Sequence, residues 1–95
     1  MSIQLLVRFK VKEEMVDSFL EIMNISKSRI ASANGYNGVE VLQGADDPCV
    51  VVLSEKWGSM EVHDEYAAKM RESGALNKLA SFLVDPPQQE ILKIR

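Results

Sequence analysis

Along residues 3–11, apolar side chains take every second position. Ile3, Leu5, Val7, Phe9 and Val11 alternate with Gln4, Leu6, Arg8 and Lys10, the period of an extended strand that buries one face. Over 12–33 the period changes: Met15, Phe19, Ile22, Met23, Ser26 and Ile30 fall at helical spacings, with Glu13, Glu14, Asp17, Glu21 and Lys27 elsewhere. This predicts one long helix, for which Asn34-Gly35 offers a left-handed stop. Alternation returns at Val39, Val41 and Gln43 against Glu40 and Leu42, and the turn formers Gly44-Ala45-Asp46-Asp47-Pro48 follow. A third strand is expected over 49–56; it is apolar on both faces and is therefore placed centrally, in a hairpin with the second.

Ser59, after Gly58, suits the N-cap of a helix over 60–71, with Glu61 at the positive end of its dipole. Ser73-Gly74 interrupts it. Leu76, Leu79, Ala80 and Leu83 then stand at i, i+3, i+4 and i+7, predicting a short helix that ends before Asp85-Pro86-Pro87. Ile91, Leu92 and Ile94 form a last strand. The order β-α-β-β-α-α-β predicts an α+β domain spanning 1–95, a split β-α-β in which helices cover one face of a four-stranded antiparallel sheet. The other face is left bare, and Leu6 with the outward side of the third strand makes it apolar. A second copy of the chain, giving a symmetric homodimer through the sheet faces, is the simplest cover.

Composition adds limits. A chain of 95 residues buries only about 60–65% of its unfolded surface, so a partner would help its small core. Apolar residues make up 46% and charged residues 26%, an ordinary globular profile. With 11 basic against 14 acidic side chains and a net charge of −3, the basic stripe that phosphate backbones require is missing, and nucleic acid is not an expected partner. Leu5-Leu6-Val7 is stopped by Arg8 and Lys10, far short of the about 20 apolar residues of a membrane span, so no membrane association and a cytoplasmic location are expected. The single cysteine, Cys49, excludes an internal disulfide and a cysteine-cluster zinc site, and is expected as a small buried hydrophobe.

Candidate chemistry concentrates in EKWGSMEVHDEYAAKM, residues 55–70, which holds the one Trp, the one His and one of the two Tyr. On the predicted helix His63, Tyr66, Ala67 and Met70 share a face, while Glu61, Asp64, Glu65, Lys69 and Glu72 take the rest. Two readings fit. The face is the buried stripe of an amphipathic helix, or His63, Tyr66 and the Trp57 indole line one cavity and handle a proton beside an aromatic or carbonyl substrate. No phosphate loop, nucleophile elbow or paired His for a metal occurs, and the carboxylates are expected at solvent-facing positions.

The helix EEMVDSFLEIM, the junction VVVLSEKWGSMEVHDEY and the closing LVDPPQQEILKI together resemble the antibiotic biosynthesis monooxygenase family of dimeric α/β barrels. The resemblance covers essentially the whole chain, and Glu55-x-Trp57-x-Ser59 ahead of a helix is its most specific part. It implies a ferredoxin-like subunit, a homodimer and a pocket between sheet and helices. The family includes cofactor-independent oxygenases of anthrones and quinols, haem-degrading enzymes and a quorum-signal isomerase, so the fold alone leaves activity open. Where many members carry a pocket His, nine residues after the junction aromatic, this chain has Tyr66; a further His five residues on is replaced by Arg71, and the first-strand Asn of haem degraders by Val7. Haem degradation and isomerisation lose weight accordingly.

The resemblance then implies a monooxygenase without a bound cofactor, acting on a small electron-rich aromatic. His63 is the candidate base and Tyr66 its catalytic partner, with Trp57, Val7, Met70 and Arg71 as substrate contacts. The alternative is a dimeric binding or stress-response protein that holds such a molecule without turning it over. Arg8 and Lys10 are expected as solvent or interface charges, Met15, Met23 and Met70 as core filler, Tyr36 as a strand-start anchor, and Phe82 at the subunit interface.

Overall fold

The alternating N-terminal segment forms β1 (Ile3–Lys10), and a 3-10 turn (Glu13–Met15) leads into α1 (Val16–Ala31). The hairpin pairs β2 (Tyr36–Gln43) with β3 (Val50–Trp57), and α2 (Met60–Glu72), α3 (Ala75–Ala80) and β4 (Gln88–Lys93) complete the chain. This computed structural model describes residues 2–31 and 36–95, so the expected stop at Asn34-Gly35 and the side chains of Tyr36 and Leu76 lie outside the described residues.

The strands form one antiparallel sheet in the order β2-β3-β1-β4. Each helical connection skips a neighbour: α1 carries the chain from β1 over β3 to β2, and α2 with α3 carries it from β3 over β1 to β4. That is the split β-α-β of a ferredoxin-like fold, with the strand that is apolar on both faces at the centre, as its sequence predicts.

Register fixes which side chains face the helices. Ile3, Leu5, Val7 and Phe9 stand opposite Trp57, Glu55, Leu53 and Val51, and Ile3, Leu5 and Val7 stand opposite Lys93, Ile91 and Gln89 on the other flank. Phe19, Met23 and Ile30 of α1 close over this face and are buried with Ile3, Phe9, Val39, Val51 and Trp57. The Phe19 ring meets Phe9 edge-on at 5.1 Å and Phe82 at 6.0 Å. Phe82 thus packs into the core and not toward an interface. The helix ends at Ala80, so the helical angle that would have turned Phe82 outward does not extend to it.

Turn chemistry holds the ends. At Gly44 a Cβ would come 2.4 Å from the Asp47 carbonyl oxygen, a distance no side chain tolerates, because the turn closes with Gly44 N–H donating to Val50 O and Val50 N–H to Asp47 O. The Asp47 carboxylate accepts from the Cys49 N–H at 3.0 Å and pairs with Lys10, so Lys10 is tied locally. Cys49 lies in this turn one residue before β3, and is half-exposed instead of buried. Gly74, at φ +77°, supplies the left-handed step between α2 and α3.

Among the described residues, no helix packs on the opposite sheet face. Leu42 is 47% and Leu92 39% exposed there, and Leu6, Val50 and Val52 are half-buried. Gln4 Nε2 donates across it to Ser54 Oγ at 2.9 Å. Among the described residues, no helix is long and apolar enough to cross a membrane.

Candidate functional site

Between the helix-facing side of the sheet and the helices lies a cavity of about 410 Å³, within the range of small-molecule sites, about 300–1,000 Å³. Leu5, Val7, Phe9 and Leu53 form its sheet side, and Met23 and Ile30 of α1 and Leu79 and Leu83 near α3 add apolar walls. Pro87, Gln89 and Ile91 also line it and are exposed, so it opens along β4.

The polar part of the wall comes from β3 and α2. Ser59 sets where α2 begins: its extended backbone leaves the strand, and its Oγ accepts from the Val62 N–H at 3.3 Å. From that start the helical period turns His63, Tyr66, Ala67 and Met70 toward the cavity. His63 is buried, and its ring lies edge-on to Trp57 at 5.8 Å. Tyr66 packs on the same indole at 5.3 Å. The imidazole Nδ1 is 3.3 Å from the exposed carboxylate of Asp64.

Glu55 is the unexpected member. The alternation of β3 puts Val51, Leu53, Glu55 and Trp57 on one face, and Glu55 is 6% exposed and on the cavity wall. Its Oε1 accepts the Trp57 indole N–H at 2.8 Å. Burial pushes the Glu55 carboxyl up from its ordinary value, against the opposing influence of the Trp57 N–H and of nearby His63. Burial, and then the Glu55 charge, push the Tyr66 phenol up, with Arg29 opposing. Tyr66 therefore stays a protonated donor throughout the neutral range.

The cavity brings His63, Tyr66, Val7, Met70 and Arg71 together, with Arg71 exposed at its edge. Trp57 is not with them. It is fully buried behind Glu55, and its N–H is already engaged, so it supports the wall and does not touch a cavity occupant. The expectation that all carboxylates face solvent fails at Glu55, and Met23, expected only as core filler, also lines the cavity. The signal for Glu55 was the period of two: a residue midway between Leu53 and Trp57 in the alternation shares their face.

No curated protein sequence matches this chain. Solved structures do. A conserved protein from Methanosarcina mazei Go1 superposes with a TM-score of 0.91 at 17% identity, covering 100% of this chain and 94% of that one. SnoaB, a cofactor-independent oxygenase from Streptomyces nogalater, gives 0.86 at 14% identity, covering 99% and 93%. A monooxygenase from the ActVA-Orf6 gene of Streptomyces coelicolor, in complex with nanaomycin D, gives 0.82 at 19% identity, covering 99% and 88%. At these identities the likeness establishes the fold. The sequence itself goes further: residues 2–70 match the family model for antibiotic biosynthesis monooxygenase, more than half the chain, and the chain belongs to that family.

Proposed function

We propose that this chain is a cofactor-independent monooxygenase acting on a small electron-rich aromatic of quinol or anthrone type. The observation that carries this reading is the division of the cavity: Leu5, Val7, Phe9, Met23 and Leu53 offer apolar surface to rings, and Glu55, His63 and Tyr66 cluster where oxygen substituents would lie. The kinship with a cofactor-independent oxygenase and with a nanaomycin D complex supports it.

Such chemistry asks little of the protein. For an anthrone, a ring methylene loses a proton to His63, and the resulting carbanion donates electrons to dioxygen. The methylene becomes a carbonyl, one oxygen atom enters the product and the other leaves as water, with both electron pairs drawn from the substrate. His63 acts as base, Tyr66 donates a hydrogen bond to the oxygen on which charge gathers, Val7 and Met70 pack against the rings, and Arg71 offers counter-charge at the edge. The same reading places a second copy of the chain on the uncovered sheet face, giving a homodimer.

Oxygen uptake with a panel of quinols and anthrones tests the activity. Uptake by the parent, with a loss of about 10²-fold or more in His63→Ala and a smaller loss in Tyr66→Phe, is expected. No uptake with any substrate, or rates in both variants unchanged from the parent, overturns the assignment; ligand binding without uptake identifies a binding protein instead.

A further inference from the structure

We propose that Glu55 makes this cavity selective for neutral hydroxylated aromatics, and against aromatic anions, by accepting a hydrogen bond from a ring hydroxyl at Oε2. This rests on the cavity being the substrate site, and it assigns a recognition role to a residue outside the proton-transfer pair.

The carboxylate is anchored and incompletely used. The Trp57 N–H occupies Oε1 at 2.8 Å, and among the described hydrogen bonds it is the one the Glu55 carboxylate makes. A carboxylate has roughly four acceptor positions, so one indole N–H leaves most of them unfilled. Among the described residues, no sealed polar side-chain atom lacks a partner; the rest of the Glu55 acceptor capacity therefore opens to the cavity that Glu55 lines. The indole is fully buried between His63 and Tyr66, so the carboxylate cannot swing away without losing its donor.

The surroundings leave that charge in place. Across the sheet, Glu55 is flanked by Leu5 and Val39, which offer nothing ionic. From α2 come His63, Tyr66, the exposed Asp64 and the exposed Arg71, and from α1 Arg29 acts on Tyr66. Among the described residues, Arg71 is the one Lys or Arg on the cavity wall, solvated at its edge, while the inner end carries a carboxylate. An incoming aromatic carboxylate would set two like charges in a region of low dielectric. A phenolic hydroxyl brings the donor that Glu55 lacks, and hydrogen bonds to charged acceptors are the stronger class.

The test compares 2-naphthol with 2-naphthoate, which share a ring system and differ in charge, by fluorescence or calorimetric titration at about pH 8 without turnover. The parent should favour 2-naphthol by about tenfold or more, and Glu55→Gln should shrink that ratio to within about threefold, chiefly by admitting 2-naphthoate. Because the ratio is read within one protein, partial misfolding of the variant cancels; circular dichroism checks the fold. A parent that binds both equally, a parent that binds neither, or a variant that keeps the parent ratio overturns the proposal. Oxygen uptake is read separately: charge selection without uptake removes the oxygenase reading and keeps this one, and uptake with a flat ratio does the reverse.

Discussion

The Trp57 indole N–H donates to Glu55 Oε1 at 2.8 Å from two residues along the same face of β3. A strand places residues i and i+2 side by side, so the Glu-x-Trp pattern is a local device that holds a carboxylate at a fixed orientation on a buried wall. His63 and Tyr66 then close on the indole from α2, at 5.8 and 5.3 Å. The four side chains form one unit, and a change at the hidden member reaches those that line the cavity.

Trp57→Phe tests that unit while keeping most of the packing. It removes the donor to a buried carboxylate, and the expected loss is about 1.5–3 kcal/mol, the range for hydrogen bonds to charged groups. The Glu55 carboxyl should move further up, since the N–H that opposes burial is gone. Urea denaturation near neutral pH measures the first effect; an unchanged midpoint would mean that the bond contributes nothing net.

Glu55→Gln should separate from the parent as pH rises. Folding raises the Glu55 carboxyl above its unfolded value, which for glutamate is about 4.3. The stability tied to this group is therefore fully present below the unfolded value and lost as pH climbs through the folded one. Glutamine has no charge to bury and can still accept the indole N–H. The variant should match the parent near pH 4 in thermal melting and exceed it at about pH 8; a difference independent of pH would show that Glu55 is not held in a penalised charged form.

The strand and helix periods made the sheet, its central strand and the cavity-facing stripe of α2 legible, because alternation and the i, i+3, i+4 spacing follow from backbone geometry alone. Glu55 was hidden by its type. Carboxylates are expected in water, and only the alternation through Val51, Leu53 and Trp57 argues otherwise. Trp57 differs in the opposite sense: a large aromatic beside a His invites a contact role, but the strand fixes it next to Glu55, and whether its ring stays open to the cavity depends on how α2 lays His63 and Tyr66 over it. Phe82 turns to the core because α3 ends at Ala80, two residues before it, and Cys49 is half-exposed because β3 begins one residue after it.

Phe19 carries the load of α1 on the sheet. It is fully buried and meets both Phe9 and Phe82. Phe19→Ala should cost about 3–5 kcal/mol, a large share of the stability of a domain this size. Ile25, on the same helix but 60% exposed, provides the control: Ile25→Ala should change stability by less than about 0.5 kcal/mol. Chemical denaturation of the two variants should rank them in that order, and similar losses would contradict the assignment of the buried face.

The uncovered face of the sheet gives the last prediction. Leu42 and Leu92 stand 47% and 39% exposed on the edge strands, on the side away from the helices. If a second copy covers them, two-fold symmetry buries each residue twice, and each apolar side chain contributes about 1.5–3 kcal/mol. Leu92→Glu would then set two carboxylates in the interface while leaving the isolated chain, where this position is already solvated, unaffected. Light scattering at micromolar concentration should give the parent about twice its chain mass of 10.6 kDa and the variant a mass near one chain, with unchanged circular dichroism. A parent that scatters as a single chain, or a variant that remains paired, would rule out this face as the contact between copies.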